Sequence, residues 1–89
     1  MGRNSKPKAL KPSHPIVLVE WVDAESIDAW TSLDDVDHDI APCLSVGFMV
    51  SKTKASVTLV LNHDQKNDNA SCIMKIPTGM IVRMKILKP

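Results

Sequence analysis

Ile76-Pro77-Thr78-Gly79-Met80-Ile81 links two short apolar runs, and the way it bends determines the architecture of the chain. On one side Cys72, Met74 and Ile76 alternate with Ile73 and Lys75. On the other, Met80, Val82, Met84 and Ile86 alternate with Arg83 and Lys85. A period of two marks strands with one covered face. Pro77-Thr78-Gly79 is too short for a hairpin loop that keeps both strands in one flat sheet, but it suits a single tight 3₁₀ turn. The chain is expected to change sheets at that turn.

Three further runs precede this link. In residues 43–50, Leu44, Val46, Phe48 and Val50 alternate with Cys43, Ser45, Gly47 and Met49, which assigns the first set to the core and leaves the smaller residues outside. A polar turn over residues 52–56 leads to Val57, Leu59 and Leu61, which repeat the alternation, so the two runs form a hairpin. Residues 16–22 are an almost continuous apolar run rich in β-branched side chains. That pattern fits a strand covered on both faces, or one whose outer face meets a partner. Residues 62–71 are polar and predict a solvated loop or a loose hairpin end. The longest connection, residues 23–42, carries a helix signature: Ser32 is placed to cap residues 33–38, with Asp34 and Asp35 in the first turn. Leu33, Val36 and Ile40 would share one face of that short helix and plug the open side of a barrel.

Eighty-nine residues, 44% hydrophobic and with a formal net charge of +1, describe one small domain. Residues 1–14, basic and proline-containing, are expected to be a disordered tail, and residues 15–89 the folded unit. No apolar run approaches the ~20 residues of a bilayer span, and the basic N-terminal stretch lacks a secretory apolar segment, so no membrane association is expected. Cys43 and Cys72 each fall within a strand-like run, which predicts buried free thiols. The near-zero net charge conceals blocks of opposite sign. Residues 20–39 hold eight carboxylates and no Lys or Arg, whereas residues 40–89 hold seven Lys or Arg against Asp64 and Asp68.

A first strand, a long acidic excursion, a three-stranded meander, an Ile-Pro-x-x-x-Ile link and a last strand resemble the Src-homology-3-like barrel over residues 15–87. Ile76, Pro77 and Ile81 are the matching residues. The resemblance implies an all-β, five-stranded barrel with one short helix in the long loop after the first strand. Peptide-binding members of that fold stack proline-rich ligands on tyrosines and other aromatics. This chain has no Tyr, one Phe and two Trp, so that activity is not implied. The pattern is also similar to a group of short bacteriophage proteins of uncharacterised function. Its shared positions are Glu20, Trp21, Asp23, Ala24, Trp30, Ser45, Val46, Gly47, Phe48, Ile76, Pro77 and Ile81. That similarity implies a phage setting, hence the host cytoplasm, and favours small non-catalytic proteins that bind host targets or viral assemblies.

No residue pattern here assembles a catalytic site. Asp34, Asp35, Asp37, His38 and Asp39 lack the alternation and the glycine of a calcium loop and are expected to be a solvated acidic face. His14, His38 and His63 lie far apart in sequence without zinc-site spacing and are expected to be separate surface histidines. No metal or cofactor is therefore expected. The expected function is non-enzymatic binding of a host protein, in takeover or counter-defence. Its contact surface would comprise Trp21, Asp23, Glu25, Asp28 and Trp30, with Asp34, Asp35 and Asp37 steering a basic partner. For Trp21 and Trp30 the competing reading is closure of the core. The alternatives are a nucleic-acid or nucleotide-binding barrel that uses Lys75, Arg83 and Lys85, and a minor virion component. Apolar surface on the first and last strands also points to a possible homo-oligomer.

Overall fold

A computed structural model describes residues 9–24, 29–36 and 40–88. The chain is mainly β. Strands β1 (Ile16–Asp23), β2 (Ala41–Lys52), β3 (Ser56–Asp64), β4 (Asn69–Pro77) and β5 (Ile81–Leu87) form one antiparallel sheet in the order β4-β3-β2-β1-β5. Short 3₁₀ turns occupy Leu33–Asp35 and Thr78–Met80. Consecutive strands pair through local connections except at the end of the chain, where β5 crosses to the far edge and pairs with β1.

That crossing constrains the shape of the sheet. Five strands spaced ~4.8 Å apart would separate the edges of a flat sheet by about 19 Å. The four Cα steps from Pro77 to Ile81 reach at most about 15 Å, and a 3₁₀ turn shortens that span. The sheet must coil until the end of β4 approaches the start of β5. The Thr78–Met80 turn, expected from Pro77-Thr78-Gly79, makes this link, but without the expected change of sheet, since β4 and β5 are the two edges of one sheet. It is pinned where the Thr78 amide donates to the Ala55 carbonyl in the β2–β3 turn, at 2.9 Å. β4 and β5 do not pair with each other, so the sheet stays open.

The coiled sheet closes over Val17, Val19, Val57, Leu59 and Ile76, with Trp21, Met49, Ile81 and Met84 packed against them. β1 thus resolves its ambiguous facing by turning Val17 and Val19 inward, which removes both from any oligomer surface. The facing of β2 is the reverse of the alternation's prediction. Cross-strand partners share a face, and Val17, Val19 and Trp21 lie opposite Gly47, Ser45 and Cys43. Leu44 and Val46 therefore point away from the core and are 70% and 54% exposed, while Phe48 and Val50 are only half-buried. The small side chains face inward because the space beside them is already occupied. Trp21 spreads over β2 and its indole N–H donates to Ser45 Oγ at 3.0 Å. At Gly47 an added Cβ would lie 2.9 Å from the Val60 carbonyl oxygen. Beyond Gly47 the two strands part, since the β2–β3 ladder runs only from Phe48↔Val60 to Lys52↔Val57, with a bulge between Met49 and Ser51.

A second bulge, at Glu20/Trp21, sets Ile81 beside Trp21 and leaves Val82 as the extra residue. Ile81 consequently serves the core and Val82, expected inside, is exposed; Met84, opposite Val19, packs on the core, and Ile86, also expected inside, is exposed although it pairs with Val17. β4 likewise buries Ile76 but exposes Met74 and Cys72, and Cys72 carries a positive φ of 57°. Both cysteines are free, yet Cys43 is half-buried and Cys72 exposed, so neither is the buried thiol expected. The polar stretch after residue 61 forms the end of a hairpin, with β3 and β4 paired out to Asp64↔Asn69. Of the helix expected over residues 33–38, the described part is only the turn Leu33–Asp35, after which Val36 is extended; residues 37 and 38 lie outside the described residues. Ser32 Oγ accepts no capping hydrogen bond, and Leu33 and Ile40 are exposed, so they plug nothing. An isolated helix of six residues lacks the length to offset its nucleation cost.

Candidate functional site

The acidic excursion leaves the sheet at the end of β1 and returns at the start of β2, two positions held opposite each other by the pair Asp23↔Ala41. Asp23, Trp30, Asp34 and Asp35 are exposed. Glu25, Asp28 and Asp37 lie outside the described residues. The two tryptophans separate into different roles. Trp21 packs on the core and is tied to Ser45, whose hydroxyl in turn contacts Met74 Sδ at 3.7 Å, so its indole closes the core. Trp30 is fully exposed, and Leu33, four residues from the start of the described segment 29–36, is 85% exposed. The described part of the candidate site thus keeps Asp23, Trp30, Asp34 and Asp35 exposed, while Trp21, half-buried, packs against the core.

The basic alternative falls on strands β4 and β5. Lys75 lies on β4 opposite Thr58, while Arg83 and Lys85 lie on β5 opposite Glu20 and Leu18, so the cations occupy the two edge strands of the sheet. Arg83 is moreover engaged by the Glu20 carboxylate.

Two features were not foreseen. Where β2 and β3 part beyond Gly47, a cleft of about 260 Å³ opens, lined by Val46, Leu59, Val60, Leu61, Cys72 and Met74, with Ser45 at its wall. The second feature is a cluster at the far end of the β3–β4 hairpin. His63 near the end of β3 places its Nε2 2.8 Å from Asp68 Oδ1, and the His14 ring meets the His63 ring edge to face, with centroids 4.9 Å apart. His14 and His63, expected to be separate surface histidines, thus share one site although 49 positions separate their numbers. The lead-in to β1 is held there by further bonds. Gln65 Nε2 donates to the Lys11 carbonyl at 2.9 Å, and the Met49 amide donates to the Pro15 carbonyl at 2.8 Å.

Neighbouring Asp64 shapes the hairpin turn. Its carboxylate accepts from the Asn67 side chain and from the Asn67 and Lys66 amides. Those bonds, that of the Asn67 side chain foremost, hold its carboxyl below the usual 3.8. Asp64 is therefore committed to the turn, and among the described residues only His14, His63 and Asp68 are grouped as a metal could use them. No described helix is long and apolar enough to cross a membrane. Comparison of the chain with models of protein families, with curated protein sequences and with solved structures finds no match.

Proposed function

We propose that the chain is a non-enzymatic binding protein with a Src-homology-3-like barrel whose β1–β2 excursion engages a basic surface on a protein partner. In the phage setting that the sequence resembles, the partner is a host cytoplasmic protein and the outcome is takeover or counter-defence. The strand order β4-β3-β2-β1-β5 and the 3₁₀ turn between β4 and β5 support the barrel reading. The observation that carries the binding surface is Trp30, a fully exposed indole in a twenty-residue stretch with eight carboxylates and no Lys or Arg. An exposed indole supplies large contact area at small entropic cost, and the surrounding carboxylates steer a cationic partner toward it.

Expression in a bacterial host followed by native mass spectrometry, at low and at moderate salt, tests this reading. A stoichiometric host protein should be retained at moderate salt and lost on reversing Asp23, Asp34 and Asp35 to Lys, whereas Arg83→Glu with Lys85→Glu should retain it. A chain that instead carries nucleotide or nucleic-acid mass, shed on the Arg83 and Lys85 reversal, overturns the acidic surface in favour of the basic strands.

A further inference from the structure

We propose that His14, His63 and Asp68 form a site for a divalent transition ion of zinc type, which fastens the lead-in to β1 onto the β3–β4 hairpin. Three observations meet at this point. One ligand atom from each residue lies within 4.8 Å of the other two, and the three side chains come from separate parts of the chain: the lead-in, the end of β3 and the turn before β4. The ring geometry also fits a shared ion. With metal–nitrogen bonds of about 2.1 Å and tetrahedral angles, two imidazoles on one ion set their centroids about 5 Å apart. The observed separation is 4.9 Å with the planes at 72°, before any ion has drawn the ligands in.

The burial is graded as an open site requires. The His63 side chain is only 8% exposed and Asp68 is 85% exposed, so an ion held by the imidazoles would keep a face toward solvent. Asp68 reaches the cluster through a positive φ of 55°, a conformation that Asp and Asn tolerate better than most residues. Two imidazoles and one carboxylate suit zinc and its neighbours in the first transition row. Calcium and magnesium prefer all-oxygen shells and are not expected to compete. Binding replaces the contact between His63 Nε2 and Asp68 Oδ1, 2.8 Å apart, with two metal bonds, and any proton on Nε2 leaves to Nδ1 or to solvent. The gain is mechanical: a segment otherwise held by a few hydrogen bonds becomes fixed to the sheet.

Calorimetric titration of the full, tag-free chain with zinc chloride tests the proposal. The expected result is one ion per chain at micromolar or tighter affinity. His14→Ala and Asp68→Asn should each weaken binding by about tenfold or more, consistent with the loss typical of a group that supports a metal. These two positions are chosen because His14 lies outside the strands, Asp68 is exposed and Asn keeps the turn at 68, so the amide spectrum should confirm an intact fold in both variants. Cys72→Ser, which removes the exposed thiol, should leave uptake unchanged. No zinc uptake at micromolar concentration, uptake that survives His14→Ala combined with Asp68→Asn, or uptake abolished by Cys72→Ser would each overturn the site.

Discussion

Gly47 and Gly79 occupy opposite situations, and the contrast tests the packing at the scale of single residues. At Gly47 a Cβ would press against the Val60 carbonyl at 2.9 Å and Leu59 Cβ at 3.3 Å, both held by the β2–β3 ladder. At Gly79 nothing lies within 4 Å. Gly47→Ala should therefore destabilise the fold by roughly 1–3 kcal/mol, the usual cost of overpacking. Gly79→Ala should be neutral or stabilising by up to about 1 kcal/mol, because it restricts the unfolded chain. Urea melts of the two variants measure both values. The same close approach explains why the alternation in residues 43–50 misled. Periodicity identifies two faces but does not say which is covered, and size misassigned them because Trp21 fills the space over Ser45 and Cys43. A small residue can face the core when a large neighbour from the next strand occupies the volume above it.

At the scale of elements, the hairpin between β3 and β4 is organised by Asp64. Its carboxyl is held below the ordinary value by bonds that exist only in the folded turn, so the support it contributes is present above about pH 4 and is lost as pH falls through the lowered value. The amide resonances of Lys66 and Asn67 should accordingly titrate with a midpoint below 3.8, and Asp64→Asn should abolish that titration. All five strands were legible in the sequence, because four-to-eight-residue apolar runs bounded by turn chemistry are a local signal. Thr53 illustrates this: its hydroxyl accepts from the Ala55 and Ser56 amides and builds the β2–β3 turn within four residues. The Thr78–Met80 turn was legible for the same reason. The bulges at Glu20/Trp21 and Met49/Ser51 were not, since each is a mismatch between two strands and leaves no mark in either one alone. The bulge beside Trp21 is what moved Val82 out of the core and Ile81 into it.

For the whole molecule, the core is small and the apolar surface large. The buried hydrophobic side chains among the described residues are Val17, Val19, Val57, Leu59, Val60 and Ile76, while Leu44, Val46, Leu61, Ile73 and Trp30 are among the large apolar side chains left exposed. A domain of this size has little stability to spare, and a partner or an ion that binds only the folded state adds to it by mass action. The acidic excursion was visible in the sequence as a charge block, and the separation of its tryptophans was not, because both indoles flank carboxylates and only the β1–β2 register decides which one reaches Ser45. The His14, His63 and Asp68 cluster was hidden for a related reason. Its members meet through the lead-in crossing the hairpin end, a contact between distant parts of the chain that no spacing rule encodes.

The proposed binding surface then rests on Trp30, the indole that does not pack against the core. The decisive measurement is the affinity of the Trp30→Ala variant for the host protein that the unaltered chain is proposed to retain. Truncating an anchoring indole should cost about 2 kcal/mol or more, roughly a 30-fold loss of affinity, with the thermal stability of the variant unchanged. An affinity equal to that of the unaltered chain would contradict the account and place the contact surface elsewhere on the sheet.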